Sequence, residues 1–224
     1  MIINVLTLFP DCFSSFLSES IPKIAIEKEK LKVNFIDIRD FSGNKQRQVD
    51  DYPYGGGSGM VVKPEPLIDS IEFIQKGKKI PVIYFTPQGR LLNQQIVRQY
   101  LSEPEIILLC GHYKEIDQRV RDYFVTDELS IGDYVLSGGE LPAMIMIDAL
   151  ARLQDGVLSD IDSALTDSHE NGLLGHPHYT RPADLNGMQV PEVLLSGNHK
   201  KIDEWRQQKS LEITQQRRSD LLDK

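Results

Sequence analysis

Apolar residues fall along this chain in short blocks of two alternating periods. Residues 2–8 (IINVLTL) form a continuous run of the kind a buried strand needs. Asp11 then reads as the cap of a helix carrying Phe13, Phe16 and Leu17, residues 22–31 predict a second helical piece, and residues 33–38 alternate as a strand. Farther along, helical spacing covers 66–75, 92–101 and 116–124. Residues 81–85 (PVIYF) and 105–110 (EIILLC) predict apolar strands, and 125–131 lead into the next block. Strands that are apolar on both faces and alternate with helices predict an α/β fold, a mostly parallel sheet with helices on both faces.

The stretch 131–152 (IGDYVLSGGELPAMIMIDALAR) organises the rest. Tyr134, Val135 and Leu136 predict a short strand, Ser137-Gly138-Gly139 a tight turn, and Glu140 the start of a helix. Adjacent glycines let a ligand lie against bare amides, and Glu140 and Pro142 suit a first helical turn. Leu141, Met144, Ile145, Ala149 and Leu153 form the predicted apolar stripe, and Arg152 is the only basic residue of the helix. Arg152 can complement the C-terminal dipole or serve a site, and spacing leaves both readings open. Parallel sheets bind ligands off the carboxyl ends of their strands. Three such ends, Thr86-Pro87-Gln88-Gly89, Gly111-His112-Tyr113 and residues 130–139, would form one backbone-lined pocket if they meet.

Residues 42–63 form a long polar, glycine-rich connection, a length that tends to be functional or mobile. Gly59 is followed by Met60, Val61 and Val62, so the Lys and Ser/Thr of an NTPase phosphate loop are missing, and a flexible lid fits better. After Gln154 the periodicity fails. Asp155, Asp160, Asp162, Asp167 and Glu170 lie in a stretch without a basic residue, which predicts a flexible linker over 156–172. The expected organisation is a sheet domain over 1–155 and a small α-helical domain over 173–224, with helices near 197–207 and 209–222.

Composition adds exclusions. The two cysteines, Cys12 and Cys110, suggest neither a disulfide framework nor a zinc site. No apolar run reaches the length of a membrane helix, so no membrane partner is expected. The first lysine is Lys23, so the start lacks a basic leader, and a cytoplasmic location is expected. The net charge of −8 argues against coating by nucleic acid through bulk attraction. The acidity is uneven, however: residues 199–218 hold 6 basic against 3 acidic side chains, a weak patch able to touch phosphate locally.

Several long motifs carry a specific resemblance: SIGDYVLSGGELPAMIMIDALAR, YGGGSGM, TPQGR, GLLGHPHYTRP and LLSGNHKKIDEWRQQKSLEITQQRR. Together they resemble the bacterial TrmD family of tRNA guanine-N1 methyltransferases, of the SPOUT class, over nearly the whole chain. The resemblance implies a C-terminal trefoil knot in the sheet domain, an exception to unknotted connections, and a homodimer with the active site shared between subunits. It implies S-adenosyl-L-methionine as methyl donor, held by Tyr84, Phe85, Pro87, Gly111, Tyr113, Ser130, Ile131, Gly132, Asp133, Tyr134, Val135, Leu136, Gly138 and Gly139. The implied partner is tRNA, methylated at N1 of the guanine immediately 3′ of the anticodon. Asp167 matches the family's proposed base and Arg152 the cation that stabilises charge on the guanine O6. Magnesium is an implied candidate cofactor, without a metal site read from the residues.

Other readings stay open beside these. Asp167 reads from its neighbours as a solvated linker carboxylate. His178 and Arg181 fall in the segment that the resemblance places near RNA, although Arg181 also fits a structural ion pair. His169, His176 and His178 lack a clear third metal ligand, and Trp205 fits a small-domain core. The chain departs from the family at Lys114 and Glu115, where Glu and Gly are usual, at Gly175, which replaces an Asp, and at Ser58, which replaces a Pro. A noncatalytic RNA-binding protein retaining the fold is the alternative, and a metal-dependent hydrolase using the histidines is a third.

Overall fold

A computed structural model describes residues 1–158 and 167–222. The chain divides into two compact units, Met1–Ser159 and Asp160–Lys224. In order, the first contains β1 (Ile2–Thr7), α1 (Ser14–Leu17), α2 (Ser20–Glu27), β2 (Lys32–Asp37), β3 (Asp50–Asp51), β4 (Val61–Val62) and α3 (Pro64–Gln75). It continues with β5 (Val82–Leu91), α4 (Gln94–Tyr100), β6 (Glu105–Leu109), β7 (Glu115–Ile116), α5 (Gln118–Tyr123), β8 (Asp127–Ser130) and α6 (Glu140–Arg152).

Five strands form one sheet in the order β2-β1-β6-β5-β8, every pair parallel. The period of two along each strand explains the layering. Ile3, Val5, Ile83, Phe85, Ile106 and Leu108 face one side, where Met146, Ile147 and Leu150 of α6 cover them. Leu6, Val82, Tyr84, Ile107 and Leu109 face the other, under Leu67 and Ile71 of α3 and Val120 of α5. Strands buried on both faces therefore show no polar alternation, which is why they read as apolar runs.

The first unit departs from the pattern in four places. Residues 134–136 are not a strand: Tyr134 is 54% and Val135 85% exposed, and the strand of that block is β8, upstream. The buried face of α6 is Ala143, Met146, Ile147, Leu150 and Ala151, whereas Leu141 and Ile145 of the predicted stripe are 56% and 46% exposed. The helix is apolar almost all round, so periodicity alone cannot choose the face that packs. The long connection is partly ordered into β3 and β4, which join β7 in a small second sheet. Finally, residues 116–124 split into β7 and α5 because Asp117 caps the helix, its carboxylate accepting from Arg119 N–H at 2.9 Å.

The second unit holds the hairpin β9 (Asp184–Leu185) and β10 (Met188–Gln189), then α7 (Glu192–Leu195) and α8 (His199–Arg217). The two predicted tail helices are one, capped by the Asn198 side chain and uninterrupted at Gln208 and Lys209, both good helix formers. The predicted linker, 156–172, lies partly outside the described residues; Val157 is buried in the layer between the sheet and α6. Among the described residues no helix is long and apolar enough to cross a membrane.

Leu108 is fully buried in the central strand. Leu108→Ala is expected to lower stability by about 2–5 kcal/mol, measured by urea unfolding.

Candidate functional site

The site grows from the carboxyl ends of β5, β6 and β8. β5 and β8 keep register from Ile83 to Phe85, lose it, and recover it at Arg90. Pro87 cannot donate to the ladder, and residues 86–89 bulge off the sheet. Gly89 lets the bulge close, since a Cβ there would lie 2.5 Å from the Glu128 backbone. After β6 the chain turns at Gly111, where a Cβ would come within 2.7 Å of the Tyr84 hydroxyl oxygen. After β8, Gly132 takes a φ of 146° and Tyr134 N–H donates to its carbonyl at 2.9 Å. That turn sends the chain back across the end of β6.

There His112 and Gly138 form an antiparallel bridge, and Gly139 N–H donates to the Gly111 carbonyl at 2.9 Å. A Cβ on Gly139 would sit 2.7 Å from Cys110 Cα, so only glycine permits this approach. Glu140, buried in the first turn of α6, accepts from the Thr7 hydroxyl at 2.8 Å and ties the turn to β1. Burial, and next the Glu140 carboxylate, push the Cys110 thiol well above its ordinary range. It stays protonated and is no nucleophile.

Between the three loops lies a cleft of about 650 Å3, its open mouth included. Tyr84, Phe85 and Pro87 line it from β5, and Gly111 and Tyr113 from the β6 end. Ser130, Ile131, Gly132, Tyr134, Val135, Leu136, Gly138 and Gly139 complete the far wall. Asp133 is exposed and is not part of the lining. The lining also includes Thr86, His112 and Ser137, which belong to the three loops expected to form the pocket, and Lys114, Glu115, Leu129 and Pro142, which the sequence reading did not assign to it. Thr86, His112 and Ser137 lay in loops already singled out, so loop membership was the available signal.

Behind the cleft, Arg121 holds the walls together. Its guanidinium grips Glu128 through two bonds of 2.7 Å and reaches Gln88 at 3.0 Å and Glu115 at 3.4 Å. The Tyr84 hydroxyl donates to Glu115. Burial, then the Glu115 charge, raise that hydroxyl far above its ordinary range, so it remains a donor.

A model of the family described as tRNA (Guanine-1)-methyltransferase TrmD matches residues 1–224. The chain belongs to the TrmD family. A tRNA (guanine-N(1)-)-methyltransferase from Caldanaerobacter subterraneus subsp. tengcongensis is 58% identical over 225 residues, covering 100% of this chain and 92% of the relative. Its counterpart from Clostridioides difficile is 54% identical over 224 residues, 99% and 97% of the two chains. One from Listeria monocytogenes is 49% identical over 225 residues, 99% and 92%.

The remaining TrmD candidates are spread over both units. Arg152 is half-buried in the last turn of α6. With 1.5 Å of rise per residue it stands about 15 Å along the helix from Pro142 at the cleft. In the second unit, Asp167 and His178 line a separate concavity with His176 and Arg206. The His176 and His178 rings are 4.5 Å apart, and Trp205 lies 6.4 Å from His176 and from Tyr179. Arg181 is exposed. Among the described residues no group of three or more His, Cys, Asp or Glu could hold a metal ion.

Two outcomes are expected. Gly139→Ala should cost about 1–3 kcal/mol in urea unfolding because backbone must move, whereas Gly43→Ala, with nothing within 4 Å of its Cβ, should stay within about 0.5 kcal/mol. Exposed Cys12 should react with a thiol reagent in the native protein, and buried Cys110 only after unfolding.

Proposed function

We propose that the protein methylates N1 of the guanine immediately 3′ of the anticodon in tRNA, using S-adenosyl-L-methionine bound in the cleft of the first unit. The observation that carries this reading is family membership over the full chain together with the cleft itself. The lining fits the donor: apolar side chains such as Phe85, Ile131 and Leu136 can sandwich an adenine, while amides and carbonyls at glycine-bearing loops meet its polar edge. When bound, the donor supplies a methyl group on a positively charged sulfur.

The chain's own residues have three tasks. Neutral guanine carries a proton on N1, and a base must remove it before the lone pair there can accept a methyl group. We assign that role to Asp167. Loss of the proton places negative charge on O6, and we assign its stabilisation to the Arg152 guanidinium. His178 and Arg181 are assigned to RNA contact, in a tRNA-binding domain over 173–224 joined to the catalytic domain, 1–155, through residues 156–172.

A homodimer with shared active sites is part of the same reading. Arg152 lies about 15 Å of helix from the cleft of its own chain, and the face of α6 that bears it also exposes Leu141 and Ile145. A second copy covering that apolar face would bury it and carry Arg152 into an interface. We read the crossing of residues 131–139 over the end of β6 as a trefoil knot and place the enzyme in the cytoplasm, with its tRNA. Among the described residues no group of three or more His, Cys, Asp or Glu is placed to hold magnesium.

The test is incubation with methyl-labelled donor and unmodified tRNA bearing guanine next to the anticodon. Label at N1 is expected, and Asp167→Asn should reduce the rate about 100- to 10,000-fold with donor affinity unchanged. A protein that binds this tRNA yet transfers no label is the noncatalytic alternative, and that result would reject the proposal.

A further inference from the structure

The amino-acid end of the donor carries a carboxylate and an ammonium, so a cleft that accepts it must answer both charges. The inference that follows rests on the cleft being the donor site. Among its described lining residues, Lys114 and Glu115 bear the only side chains charged at neutral pH. Their surroundings differ. Glu115 accepts from the Tyr84 hydroxyl, from Ile116 N–H at 3.1 Å and from Arg121 at 3.4 Å, so its charge is committed to the protein.

Lys114 is exposed, and its ammonium has no ion-pair partner among the described residues. Its position is nonetheless fixed at the root. The Lys114 N–H donates to the Met60 carbonyl at 2.9 Å. The stem runs beside Gly59, where an added Cβ would lie 3.4 Å from Lys114 Cβ and 3.9 Å from Cδ. A long cation anchored this way can reach a ligand at the rim while its stem stays packed.

We propose that Lys114 pairs with the carboxylate of the donor's amino-acid end and sets the cleft's preference for a donor that retains it. An exposed or half-exposed ion pair corresponds to about a two- to fivefold change in affinity. Calorimetric binding of S-adenosylmethionine and of its decarboxylated analogue to the wild type and to Lys114→Met tests this. The wild type is expected to favour the carboxylated compound by about that factor. Lys114→Met should weaken that compound about two- to fivefold while binding the analogue as well or better, and the loss should shrink as salt rises. Lys114→Arg should keep the preference. Equal weakening of both compounds, or a preference that survives Lys114→Met, overturns the proposal while leaving the cleft as donor site. Failure of the wild type to bind either compound removes the donor-site reading itself, and this inference with it.

Discussion

Gly139 donates its N–H to the Gly111 carbonyl at 2.9 Å, and beside that bond Gly138 bridges His112. These contacts press the loop after β8 onto the end of β6, at a separation that a side chain on Gly139 would prevent. The cleft is the space left where that loop arches over the ends of β5 and β6. Glu140 ties the same junction from behind to Thr7, linking the first turn of α6 to the first strand.

Arg121 provides the second constraint. A guanidinium offers five donors in a planar fork, and here they join Glu128, Gln88 and Glu115, one from each segment that builds the cleft. Two carboxylates that would otherwise repel are held by one cation with little exposure. This leaves Lys114 as the charge turned outward, a division of labour between neighbouring residues that their order in the chain does not reveal.

Much of the fold was legible because strands buried on both faces must be largely apolar, and β1, β6 and the buried first half of β5 are. The loops flanking the cleft were legible for a related reason: glycine is required where backbones touch. The errors share one cause. Residues 134–136 look like a strand and Leu141 and Ile145 like a core stripe because apolar side chains that face a cleft or an uncovered surface have the same pattern as those that face a core. Asp133 is exposed and outside the lining although its neighbours line the cleft, and Lys114 and Glu115, which stood out in the sequence only as departures from the family pattern, are part of it. The small sheet of β3, β4 and β7 depends on two-residue pairings between distant segments, below what periodicity can register.

In the proposed function the cleft of the first unit holds the donor and the second unit, whose tail carries slightly more basic than acidic side chains, meets the RNA. A crystal structure of the protein with S-adenosylhomocysteine examines the central claim most directly. The account predicts the ligand between residues 84–87, 111–115 and 130–139, its adenine against the backbone of those loops. Density at any other place, or a cleft that stays closed with ligand bound elsewhere, would contradict it.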